Sequence, residues 1–180
     1  MVEDEYRITG IQQVGVGVPD VSTAWQWYAE NFGYDVPAFN DAAEAPLMTR
    51  YTGGTVHSRQ AALALNMHGG GGFEVWQYTS RTPVPPSRTP QLGDHGIIAP
   101  RLKSGDVEGA AEALKTAGAT LLSQPQTDPG GNRHFFVQDH LGNTFQIVES
   151  SSWFSRRPAV VGGVGGVTIG TPDIDKSLAL

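Results

Sequence analysis

The chain has 180 residues, 39% of them hydrophobic and 17% charged, a balance that buries one core of ordinary size and excludes a disordered chain. The formal net charge of -6 argues against a nucleic-acid partner, because phosphate recognition relies on clustered Lys and Arg. No cysteine is present, so disulfides, thiolate catalysis and sulfur-ligated metals are excluded, and any metal must take nitrogen or oxygen ligands. The opening MVEDEYR is acidic and polar, unlike a secretory signal, and no run approaches the roughly 18 apolar residues of a membrane helix. A cytoplasmic chain without a membrane partner is therefore expected.

Residues 8–18 (ITGIQQVGVGV) alternate as a half-buried strand does. Pro19-Asp20 breaks the strand, and Asp20 or Ser22 caps a helix expected over residues 21–31. Its apolar stripe is Trp25, Tyr28, Ala29 and Phe32, and Gly33 takes the left-handed position that ends it. Strands are expected around residues 34–39, 60–67 and 73–78, with the glycines of HGGGG (residues 68–72) building the hairpin turn between the last two. The first 80 residues thus read β-α-β-β-β.

A proline-rich connector, TPVPPSRTP (residues 82–90), offers few donors to a sheet. The pattern then repeats. A strand at 96–103 leads to a Gly-Asp break and a helix over 106–117 with the stripe Val107, Ala110, Ala111, Leu114 and Ala117. Strands follow at 120–123, 134–138 and 144–149. A third start appears at residues 167–175 (VTIGTPDID), which echoes residues 14–22 (VGVGVPDVS). The expected organisation is a two-module domain over 1–150 (modules about 8–80 and 91–150), a linker over 151–163, and the first strand and helix start of a further, incomplete module over 164–180. The fold class is α+β, with paired βαβββ modules forming a cup.

The strand–(Pro/Gly)-Asp–helix openings and the closing FVQDHLGNTFQIVE (residues 136–149) resemble the vicinal oxygen chelate superfamily, which groups glyoxalases, bleomycin-resistance proteins and extradiol dioxygenases. The resemblance implies a cup-shaped small-molecule site. It also implies four metal-ligand positions, on the first and last strand of each module, which members that bind metal fill with His or Gln, Glu, His and Glu. Counted from the Asp caps, those positions hold Gln13, Glu74, Ala99 and Gln146. Ala99 cannot ligate, so no metal is expected; a divalent metal, if bound, would rest on Gln13, Glu74 and Gln146.

Alternation along the strands places Trp76 and Tyr78 on the face of Glu74, and His95, Ile97, Arg101 and Lys103 on the face of Ala99. Arg and His opposite Trp and Tyr suit a small anionic or aromatic ligand. The expected site is Glu74 as catalytic carboxylate with Gln13, Trp76, Tyr78, His95, Arg101, His134 and Gln146 binding substrate. Three functions remain open: a metal-dependent lyase, isomerase, epimerase or dioxygenase; a metal-free binder of a planar molecule; and a degenerate module that pairs with a further one. The exposed-looking Trp153-Phe154 pair and the apolar stretch 159–169 predict contact with another copy or with a missing C-terminal module.

Overall fold

The computed structural model describes residues 10–179. β1 (Gln13–Gly17), α1 (Val21–Phe32), β2 (Val36–Glu44), β3 (Ser58–Leu65) and β4 (Gly72–Tyr78) form one βαβββ unit. β5 (Gly96–Ser104), α2 (Val107–Thr116), β6 (Thr120–Leu121), β7 (Gln126–Thr127), β8 (Arg133–Gln138) and β9 (Thr144–Glu149) form the second, followed by β10 (Val164–Gly170) and α3 (Ile174–Leu178). The α+β class and the repeated strand–helix–strand order are those the sequence predicts.

The three Pro/Gly-Asp breaks work by one device. Asp20 accepts from Thr23 N at 2.7 Å, Asp106 from Gly109 N at 2.9 Å and Asp173 from Lys176 N at 2.9 Å, each capping the first turn of a helix. Gly33 ends α1 with φ 68°, a conformation that favours glycine. Val21, Ala24, Tyr28 and Phe32 are the buried stripe of α1, one step round from the expected one, with Trp25 half-buried beside them. In α2 the buried residues are Val107, Ala110, Ala111 and Leu114.

The first sheet has the order β1-β4-β3-β2, the second β10-β5-β9-β8-β6 with β7 added to β8. β1 runs parallel to β4 and β5 parallel to β9; the other pairs are antiparallel. One feature departs from expectation. The strand expected at 34–39 runs over Val36–Glu44 instead, where Pro37 is tolerated because β2 is an edge and its register slips between Pro37 and Phe39. A short 3₁₀ turn, Pro46–Tyr51, follows it. β10 lies antiparallel on the outer edge of β5 and so enlarges the second sheet. Residues 8, 9 and 180 of the expected elements lie outside the described residues.

A single core joins both units. The Phe73 and Phe145 rings, from the helix-side faces of β4 and β9, are 5.9 Å apart. α1 fills the space beside them, with Tyr28 4.6 Å from Phe73 and Phe32 5.0 Å from Phe145. Polar clamps reinforce this junction. The Tyr28 hydroxyl donates to Asp139 Oδ2 at 2.5 Å, Asn143 Nδ2 donates to Tyr28 at 3.2 Å, and Trp27 Nε1 donates to Ala117 O at 3.2 Å. Asn66, 2% exposed, donates to Phe32 O and Gly33 O and accepts from His68 N and Gly69 N. No helix among the described residues is long and apolar enough to cross a membrane.

Candidate functional site

The two sheets share a core through their helix-side faces, and strand alternation turns every second side chain to the other face. On β4, Phe73 and Val75 are buried in that core, and Gln77 Oε1 accepts from Val21 N at 3.1 Å at the start of α1. Glu74, Trp76 and Tyr78 therefore occupy the outer face. On β5 and β9, Leu102, Phe145 and Ile147 enter the core, which leaves Arg101 and Gln146 paired in register on the outer face of the second sheet. Phe73 and Phe145 meet on the helix side, so Glu74 and Gln146, their neighbours in sequence, lie on the opposite faces of β4 and β9.

The expected site residues accordingly fall into two groups. On the first sheet, Gln13 Nε2 donates to Glu74 Oε2 at 2.6 Å, a neighbour contact set by the parallel pairing of β1 with β4. Trp76 and Tyr78 stand beside them with ring centroids 6.0 Å apart. On the second sheet, Gln146 is 7% exposed and spans two partners: its Nε2 lies 3.1 Å from His134 Nδ1 and its Oε1 accepts from Thr168 Oγ1 at 3.2 Å. Arg101 is half-buried, and its Nε is closed off from solvent without an acceptor among the described residues. His95 joins neither group. It is exposed and precedes β5, because the chain there is held by Asp94, which Arg88 grips at 2.6 and 2.7 Å.

A divalent metal at the four positions does not fit the side chains present. Glu74 supplies the single carboxylate and is engaged by Gln13; Gln146 is neutral with both amide atoms occupied; Ala99 is a methyl, paired across to Thr168. Among the described residues no group of three or more His, Cys, Asp or Glu side chains converges.

A cavity of about 660 Å³ opens at the Trp76–Tyr78 end of the first sheet, lined also by Tyr51, Arg81, the Pro83–Pro86 run and Leu141 and Asn143 of the second unit. Trp76 is fixed there by the Arg59 guanidinium 5.3 Å above its ring, which Asp41 in turn pairs. Trp76 Nε1 is buried without an acceptor among the described residues. The Arg81 guanidinium lies 5.4 Å from the Tyr78 ring, and His57 5.8 Å from it on another side. Strand parity places Trp76 and Tyr78 on this face, whereas the sequence pattern gives no sign of Arg81 or Tyr51 beside them. Arg59 lies in β3, in register with Tyr78 and two residues before the partner of Trp76. The 3₁₀ turn that presents Tyr51 carries no periodicity.

No curated protein matches the chain in sequence. Solved structures share its fold. A glyoxalase family protein from Bacillus cereus superposes with TM-score 0.66 at 15% identity, over 81% of this chain and 97% of that one. A glyoxalase-related enzyme from Fulvimarina pelagi gives 0.51 at 19% identity, over 91% and 100%. A glyoxylase/bleomycin resistance protein/dioxygenase domain from Frankia gives 0.53 at 17% identity, over 80% and 99%. A family model matches residues 10–147, and with it the chain belongs to the Glyoxalase/Bleomycin resistance protein/Dioxygenase superfamily.

Proposed function

We propose that the chain is a metal-independent binder of a small planar or aromatic organic molecule, held in the cavity beside Trp76 and Tyr78. The observation that carries this reading is the Trp76 indole: an aromatic wall whose buried N–H lacks an acceptor among the described residues. An unmet buried donor costs about 1–3 kcal/mol, which a ligand carbonyl or other acceptor would return on binding. Tyr51 and the proline run add apolar walls, and Arg81 supplies a cation at the mouth, so an acceptor-bearing aromatic with partial negative charge fits the lining. Phe154, Ile169, Ile174 and Leu178 are exposed apolar groups, which supports association with a second copy.

The test is a thermal-shift screen of planar aromatic carboxylates and quinones, repeated with EDTA and with Trp76→Ala. Stabilisation that persists in EDTA and vanishes in Trp76→Ala supports the binder. Stabilisation that needs added divalent metal, or that survives Trp76→Ala unchanged, refutes it. A second reading, catalysis with Glu74 as general base, draws on the 2.6 Å hydrogen bond by which Gln13 orients that carboxylate. Turnover lost in Glu74→Gln, with ligand affinity retained, would favour it.

A further inference from the structure

A second cavity, of about 510 Å³, lies on the outer face of the second sheet and shares no lining residue with the aromatic one. β5 sends two cations into its wall, Arg101 and Lys103, which alternation places on one face about 7 Å apart. Neither is neutralised within the described residues. Lys103 Nζ donates to two carbonyls, Gly69 O at 2.7 Å and Ser152 O at 3.1 Å, and so keeps its charge without a counter-ion. Arg101 Nε meets no acceptor, whereas Arg59, Arg88 and Arg133 each pair with a carboxylate. Glu149 also lines the cavity, but its recorded contact is a hydrogen bond accepted from Arg133 N at 3.4 Å.

Two uncompensated cations side by side, one partly desolvated, stand out in a chain of formal net charge -6. Burying guanidinium without an anionic partner is unfavourable, and the fork of Arg is matched to planar or tetrahedral oxyanions. Gly165 and Gly166 of β10 form part of the lining, and with no side chains there the approach to Arg101 stays open. The geometry points to this cavity as a binding site for an oxyanion, the carboxylate or phosphate group of a small molecule, gripped by Arg101 and Lys103. β10 is part of the site because Gly166 is the residue opposite Arg101 and Thr168 fixes Gln146 beside it.

The experiment uses the full chain labelled with ¹⁵N and follows the Arg101 Nε–Hε resonance, assigned by its loss in Arg101→Lys. Sodium phosphate and sodium acetate are titrated separately at constant ionic strength, with sodium chloride as control. A saturable shift with phosphate or acetate and not with chloride supports the site, and the anion that saturates at lower concentration names the source. Arg101→Met, followed through remaining amide resonances, should bind that anion about tenfold more weakly or worse. Lys115→Met, which removes an exposed cation of α2 outside the cavity, should bind it as the parent does. A linear response equal to that of chloride in the parent chain overturns the proposal without recourse to any variant. Binding unchanged in a folded Arg101→Met overturns it equally.

Discussion

Removing one oxygen at the junction of the two units gives a sharp test of how they are held together. In Tyr28→Phe, Asp139 Oδ2 loses its 2.5 Å hydrogen bond but keeps Asn143 Nδ2 at 2.9 Å, and Oδ1 keeps Leu141 N and Asn143 N. The ring stays in place among Phe32, Phe73 and Phe145, so the change is the loss of one hydrogen bond to a charged group, about 2 kcal/mol at neutral pH. For a chain of this length that lowers Tm by about 4–8 °C. The same substitution has the opposite sign in alkali. Burial, and then the Asp139 charge, push the Tyr28 hydroxyl well above its ordinary pKa of 10.0, and burial raises Tyr34 likewise. Both stay neutral in the folded chain while the unfolded chain ionises, so their contribution is complete below pH 10 and is lost as pH rises beyond it. The parent loses about 2.7 kcal/mol per pH unit from the two tyrosines, and the variant about 1.4 kcal/mol from Tyr34 alone. The two stability curves should therefore cross near pH ~11.5. Urea unfolding at pH 7 and at steps above pH 10 measures both limbs. A deficit below about 0.5 kcal/mol at pH 7, or parallel alkaline limbs, refutes the reasoning.

Further expectations concern the hairpin, the loop beside it and the carboxylate. Asn66→Ala removes four buried hydrogen bonds and should cost about 3 kcal/mol or more, read as a lower urea midpoint with unchanged m. Gly163→Ala should cost about 2–4 kcal/mol, since φ is 76° there and a Cβ would stand 2.4 Å from the Gly69 backbone carbon. Glu74→Gln should leave the divalent metal content, measured by elemental analysis, unaltered. Near-stoichiometric metal in the parent that is lost in this variant would return the chain to the metalloenzymes.

Much of the fold was legible because it is written in local chemistry. The Asp caps, Gly33 and the hairpin glycines each specify a backbone event within a few residues, and the stripe of α2 states its buried face outright. Strand parity likewise separated Trp76 and Tyr78 from Phe73 and Val75. The candidate site was less legible because the relation of one sheet to the other is decided by contacts far apart in sequence. Nothing near Glu74 or Gln146 announces that Phe73 meets Phe145, a contact that joins the two sheets on their helix side. Nor does the VTIGTPDID echo reveal which edge its strand will take, since a strand's partner is chosen by the edge left open elsewhere. His95 stands outside the alternation for a simpler reason: the Arg88–Asp94 pair holds the chain before β5 begins, and alternation does not extend past a strand's end.

The aromatic junction around α1 also bears on how the molecule comes apart. A sequence built from two similar units invites the view that each is its own folding unit. Here the large side chains of each stand in the middle of the other's hydrophobic face, and Tyr28 reaches a partner 111 positions away. Phe145 of the second unit packs against Tyr28, Phe32 and Phe73 of the first, so cleavage in the proline connector would yield fragments that stay associated or aggregate rather than two stable domains. Unfolding should be one cooperative event with a folding rate limited by long loop closure, and a repeat inherited as two pieces behaves in solution as one.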